Sequence, residues 1–327
     1  MTNFKLIYVI FCSTICLDAC IVLVGVEKCA RKIKNLLNWC ADFYNIEGKY
    51  FGDLKNRKIE LRRKIVKMLK WFQKGIYLEA SLISVGFTVT KIFLPESILP
   101  RYALPLPLFL PFEDQCQTFA FWTTMSFQTL FLFTTAPLFI YFCGHFLCLI
   151  LHIFAFLDLI KDAAHEMKKD LVKNPVDCVK ILNDMICEVN SVVSEINKIF
   201  SDIFLNLEIG TLGTYFSSGL IILILREQYF YAICINIIGV CLLLCCYINE
   251  KILDKFENIQ EAIYDLPWYE LEVKHQKMFL ILLNCDKINR GFTAGGFHSL
   301  SLERFTTICH SGYSNFLVLR DLVLKYK

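Results

Sequence analysis

Residues Gly291–Leu322 read GFTAGGFHSLSLERFTTICHSGYSNFLVLRDL. The stretch is long enough to cross a bilayer as a helix. It is too polar to face lipid all round, because Ser, Thr, His, Glu and Arg fall inside it. At about 100° per residue, Glu303, Thr307, His310 and Ser314 share one side of a helix. The same line continues to Leu317 and Val318, then to Asp321, while Phe305, Ile308, Gly312, Phe316 and Leu319 take the opposite side. One face is therefore polar for three turns, apolar for one, and then acidic. A water-filled pore closed by an apolar ring needs this pattern. A packed helix whose polar groups bond to its neighbours can show it too. The wheel alone leaves both readings open.

Working outward, the chain has 327 residues, of which 56% are hydrophobic and 14% aromatic. That exceeds the soluble norm of about 45–50% apolar, so a polytopic membrane protein is the class expected. A net charge of +3 is too small to imply nucleic acid as a partner. Sixteen cysteines are present, but Cys143, Cys148, Cys241, Cys245 and Cys246 sit inside apolar runs and no CxxC pair occurs. Neither a secreted disulfide framework nor a zinc site follows, because buried Cys serves as a small apolar residue. His145, Cys148 and His152 share a helix face that would suit a metal. They lie at the end of a lipid-crossing helix with no acidic second shell, so packing is the expectation and no metal or cofactor is assigned. GFTAGG lacks the GK[ST] of a phosphate loop and no strand precedes it. No Ser/His/Asp or Cys/His set has catalytic spacing, so the chain does not read as an enzyme.

The expected fold is all-α, a polytopic transmembrane helix bundle forming a single membrane domain over residues 1–327. Six spans are expected, at about 6–26, 71–94, 118–152, 201–225, 229–248 and 297–319. Leu6–Val26 has only Lys5 before a long apolar run, which fits a retained helix better than a signal peptide. Lys28–Lys70 holds RKIKN, KNRK and LRRKIVKMLK, the clearest cytoplasmic signal in the chain. Flanked by two spans, it belongs at the anionic inner leaflet rather than on nucleic acid. Pro95–Gln117 is Pro-rich and cannot be regular helix. Loops 27–70, 153–200 and 249–296 then fall in the cytoplasm, with both termini outside.

Two seams have three-four spacing. Leu182, Ile186, Val189, Val193, Ile196, Phe200 and Ile203 form the first, on a helix that begins in the cytoplasm and ends near Leu225. Ile252, Phe256, Ile259 and Ile263 form the second, closed by Pro267. Trp268–Cys285 reads as one amphipathic helix whose apolar run, Met278–Leu283, is too short to cross. Gly291, Gly295 and Gly296 read as a flexible joint before the last span.

These residues carry a resemblance. CYINEKILDKFENIQEAIYDLPWYELEVKHQKMFLILL, TAGGFHSLSLERF and SGYSNFLVLR stand in the order of three C-terminal signatures of the insect odorant receptors. PLPLFLPFED and KNLLNWCADFY extend the resemblance upstream. The family has seven spans with the N-terminus inside, and Leu6–Val26 resembles its second. The expectation is a chain without the first span, from a short gene model or a truncated gene.

The resemblance implies a ligand-gated, nonselective cation channel subunit that binds volatile odorants. It would work as a hetero-tetramer with the odorant receptor co-receptor, as a multi-pass protein in the plasma membrane of olfactory sensory neurons. It implies that the last helix lines the pore with Glu303, Thr307, His310, Ser314 and Asp321. Leu317 and Val318 would form the gate. Leu182, Ile186, Val189, Val193, Ile252, Phe256, Ile259, Trp268 and Tyr269 would form the subunit anchor. Ser84, Phe87, Thr88, Phe119, Trp122, Thr123, Tyr229 and Phe230 are the candidates for the odorant pocket, where an aromatic cleft with few hydroxyls suits small apolar ligands. Each would otherwise be interhelical packing or an interfacial aromatic. Two alternatives stand beside this reading. Gustatory receptors close the last helix with Thr-Tyr, five apolar residues and Gln-Phe, whereas here Gly312 precedes Tyr313 and Leu319-Arg320 stand at the Gln-Phe place. A truncated, nonfunctional remnant is the other.

Overall fold

The computed structural model describes residues 31–43, 54–93, 118–224, 237–285 and 291–325, with side chains only in part within the long helices. The architecture is helical. Helix α1 covers residues 31–42. It is followed by α2 (Leu54–Phe93), α3 (Thr118–Met167), α4 (Pro175–Ile224) and α5 (Ile237–Tyr264). A 3-10 turn at Trp268–Glu270, α6 (Val273–Cys285), a two-stranded hairpin and α7 (Leu302–Lys325) complete the order. The hairpin pairs β1 (Thr293–Ala294) with β2 (His298–Ser299), with Thr293 opposite Ser299.

Each of α3 and α4 runs for 50 residues without a break. At about 1.5 Å per residue that is roughly 75 Å, more than twice the hydrocarbon thickness of a bilayer. Helix α3 thus continues well past the expected span end at His152. Pro175 stands at the first helical position of α4, where its missing N–H costs nothing, and Asp177 complements the dipole. Helix α5 stops at Tyr264, three residues before Pro267.

The chain divides into two compact units, residues 1–26 with 60–148 and residues 27–59 with 149–327. In the first, α2 turns Ile65 inward, and Leu69 reaches so close to α3 that a Cβ on Gly144 would lie 3.2 Å from it. In the second, both seams are interior. Leu182, Ile186, Val189, Val193, Ile252, Phe256 and Ile259 are each at most 2% exposed within one chain. They are joined by Phe156, Phe200 and Phe204 from α3 and α4 and by Phe279 from α6. Trp39 of α1 packs on Phe156 at 5.7 Å and donates to Glu188 at 2.7 Å. The seam residues expected in the subunit anchor are thus already buried within one chain. Of the expected anchor, Trp268 is half-buried and Tyr269 is 66% exposed.

The region 268–285 is not one helix. Leu271 is extended, with φ −79° and ψ 161°, and separates the 3-10 turn from α6. Gln276 bridges the break by donating to the carbonyls of Tyr269 (3.2 Å) and Leu271 (2.9 Å).

Phe256→Ala should lower stability by about 3–5 kcal/mol, whereas Tyr269→Ala on the surface should stay within about 0.5 kcal/mol. Thermal midpoints of the purified protein in detergent check the contrast.

Candidate functional site at the foot of helix α7

The last helix begins at Leu302, eleven residues after Gly291, because the hairpin occupies the interval. That hairpin is held rather than flexible. Asn249 of α5 is fully buried. Its Oδ1 accepts from the Phe292 N–H at 2.6 Å and its Nδ2 donates to the Leu300 carbonyl at 2.6 Å. Leu300 N–H closes the ladder by donating to the Phe292 carbonyl at 3.0 Å. Asn197 of α4 accepts from the Thr293 N–H at 2.8 Å and donates to its Oγ1 at 3.0 Å. Ser201 of α4 takes the Gly295 N–H on its carbonyl at 2.9 Å and the Gly296 N–H on its hydroxyl at 3.0 Å. Phe292, Ala294 and Leu300 are fully buried, and Phe292 meets Phe204 at 5.7 Å. Gly291 has φ 128°, and a Cβ there would sit 2.9 Å from Asn249 Oδ1. Both reasons require glycine.

The start of α7 is capped twice. Ser301 Oγ accepts from the Arg304 N–H at 3.0 Å, the N-cap arrangement, and Glu250 of α5 accepts from the Leu302 N–H at 2.9 Å. One turn in, Arg304 donates to Glu208 of α4 at 3.3 Å. Glu208 is 5% exposed, and the guanidinium sets a cationic partner against it, as a buried carboxyl needs. Two turns further, Gly312 lets α7 approach α4, where a Cβ would lie 2.9 Å from the Tyr215 Cβ. Ile308 is buried on the same side.

The opposite side is open. Glu303, Thr307, His310, Ser314 and Asp321 are exposed, as is Val318 at 61%, while Leu317 is intermediate. Thr307 and Ser311 spend their hydroxyl protons on their own helix, donating to the Glu303 and Thr307 carbonyls at 3.0 and 2.9 Å. Their oxygens keep acceptor capacity for groups outside the helix. Asp321 is engaged by its neighbour Arg320, whose Nη2 stands 2.9 Å from Oδ1, an exposed pair of small energetic weight.

Of the pocket candidates, Ser84, Phe87 and Thr88 lie on α2 and Phe119, Trp122 and Thr123 on α3, but their side chains fall outside the described residues. Tyr229, Phe230 and the expected span 6–26 lie wholly outside them. Among the described residues no helix is long and apolar enough to cross a membrane, and the five other expected spans are described in part. Among the described residues no three His, Cys, Asp or Glu side chains come together as a metal-binding group.

Periodicity missed Asn197, Ser201, Glu208, Asn249, Glu250 and Arg304. One signal was present: Asn249 and Glu208 are single polar residues interrupting apolar faces, which is costly without a partner.

Asn249→Leu keeps the volume but orphans a buried N–H and a buried carbonyl, at about 1–3 kcal/mol each. It should cost no more than Arg304→Met, which strands the buried Glu208 carboxyl without its partner, at about 3–5 kcal/mol. The charge exchange Glu208→Arg with Arg304→Glu should recover part of the single-variant loss. Detergent melting curves for the four proteins test this ranking.

The family profile for seven-transmembrane odorant receptors, described as "7tm Odorant receptor", matches residues 8–313. Among curated protein sequences no match is found. Two solved structures of the insect olfactory receptor OR5 from Machilis hrabei share the architecture. The complex with eugenol superposes with a TM-score of 0.73 at 14% identity, covering 97% of this chain and 80% of that one. A second structure of the same receptor gives 0.69 at 14% identity, covering 93% and 78%. At that identity the likeness is one of fold. The family is one of multi-pass membrane receptors rather than enzymes. With the profile spanning nearly the whole sequence, the chain belongs to the 7tm odorant receptor family.

Proposed function

We propose that this odorant receptor is a subunit of an odorant-gated, nonselective cation channel. It acts in the plasma membrane of olfactory sensory neurons as a hetero-tetramer with the odorant receptor co-receptor. Volatile ligands bind among the outer halves of the helices, with Ser84, Phe87, Thr88, Phe119, Trp122, Thr123, Tyr229 and Phe230 as lining candidates. Four copies of α7 surround the conduction path.

The observation that carries this reading is the division of α7 into two faces. Ile308 and Gly312 are spent against α4, while Glu303, Thr307, His310 and Ser314 are left exposed together over three turns. An uncovered polar stripe on a family member of this architecture calls for water or a symmetry-related stripe. Back-bonded hydroxyls leave oxygen lone pairs facing outward, the ligand type a cation path uses. Val318 and Leu317 then act as the apolar constriction, and Asp321 sits at the mouth with its charge partly offset by Arg320. Subunit contact falls to groups still exposed after folding. Tyr264 and Tyr269 flank Trp268, at 62% and 66% exposure.

Coexpression with the co-receptor should give odour-evoked inward current, and silence across a broad odorant panel with normal surface abundance would oppose the proposal. Val318→Ser should raise basal leak severalfold by easing wetting of the constriction. Asp321→Asn should lower divalent permeation and Arg320→Gln should raise it, measured as reversal-potential shifts in calcium.

A further inference from the structure

Helix α2 carries a second surface that has no role in the pore. Arg63, Lys67, Lys70 and Lys74 are all exposed and recur at four-, three- and four-residue steps. At about 100° per residue they fall within one sector of roughly 60°. Ile65 is buried and Leu61, Met68 and Leu69 are half-buried on the opposite side. Among the described residues no carboxylate forms an ion pair with any of the four cations. Glu60, three residues before Arg63, bonds instead to Lys64 at 2.7 Å, which holds its carboxyl below the usual value, with Arg63 adding weakly. Apolar side chains flank the stripe: Val66 on one edge, Trp71 and Leu78 on the other, at 44–70% exposure. The helix then continues without a break toward Phe93 through the apolar stretch ISVGFTVTKIF.

We infer that this face of α2 is a binding surface for the headgroup of a polyphosphorylated inositol lipid in the leaflet on the basic-loop side. Charge complementarity supplies the attraction, at a place where juxtamembrane Lys and Arg each contribute to anionic lipid binding. The axial arrangement selects the headgroup. From Arg63 to Lys74 the stripe spans about 16 Å along the helix. A phosphatidylserine carboxylate lies at one depth and meets only the cations nearest the membrane. A headgroup carrying several phosphates stands away from the surface and reaches several levels of the stripe. Trp71 and Leu78 cover the adjoining glycerol and acyl region, as interfacial aromatics do. A basic amphipathic helix can also be a calmodulin target. Here the apolar side that calmodulin would take is already turned inward, with Leu69 against Gly144. The inference does not depend on the pore reading.

The test uses the full chain, purified in neutral detergent, and fluorescence polarisation of a labelled dioctanoyl phosphatidylinositol bisphosphate. Replacing Arg63, Lys67, Lys70 and Lys74 together by Gln should weaken binding at least tenfold. The control replaces Lys168, Lys169, Lys173 and Lys180, four exposed cations elsewhere, by Gln and should change affinity less than twofold. Soluble inositol trisphosphate should compete, and dioctanoyl phosphatidylserine at matched charge should not. Both variants are surface changes, and monodisperse elution shows that they fold. Equal loss in the two variants, equal competition by the serine lipid, or Ca²⁺-calmodulin binding lost in the α2 variant would each overturn the assignment.

Discussion

A single buried amide sets the geometry of the C-terminal third. The hairpin that precedes α7 has its Phe292 N–H and Leu300 carbonyl in a dry interior, and neither can reach water. Asn249 satisfies both with one side chain, one oxygen accepting and one nitrogen donating. An unpaired buried backbone group costs as much as the net worth of several ordinary hydrogen bonds. The chain therefore enters α7 at one angle only. Asn197 and Ser201 repeat the device from α4, and Glu250 and Ser301 take the first free N–H groups of the new helix. With its foot fixed on two helices, α7 presents a defined face outward.

That face is defined by what the other one consumes. Gly312 allows a close approach to Tyr215, Ile308 fills the interval, and Arg304 is drawn to the buried Glu208. A helix clamped at its start and pressed along one side cannot rotate to hide its polar stripe. Between Arg304 and Arg320 every residue is uncharged at neutral His, a run of fifteen residues, Phe305 to Leu319. At about 1.5 Å each this is roughly 22 Å, short of a full hydrocarbon crossing. Lining water in an assembly relaxes that requirement, because a pore helix need not satisfy lipid on all sides.

Much of this was legible in the sequence. Three-four spacing located the seams of α4 and α5, and the helix expected to carry the first seam to near Leu225 is described over Pro175–Ile224. The wheel separated Ile308 and Gly312 from the residues now exposed. Periodicity reports that a side is buried but not by whom, and the seam residues expected in the subunit anchor are already buried within one chain. The clasp was beyond pattern reading. Asn249 meets residues 43 and 51 positions away, and Asn197 meets Thr293 at a separation of 96. Glycines read as a loose joint are instead positions of positive φ, and at Gly291 and Gly295 close approach also excludes a side chain. The interruption at Leu271 left no mark either, since Trp268–Cys285 keeps an amphipathic pattern across it.

The claim on which the account turns is that α7 shows its polar face to water at the centre of an assembly. Single cysteines at Thr307, His310 and Ser314, with Phe305 and Ile308 as buried-side controls in a Cys309→Ser background, can be exposed to charged thiol reagents in co-assembled receptors during odour-evoked current. The account predicts rapid modification with loss of current at 307, 310 and 314 and none at 305 and 308. Protection of 307, 310 and 314 in conducting complexes would contradict it.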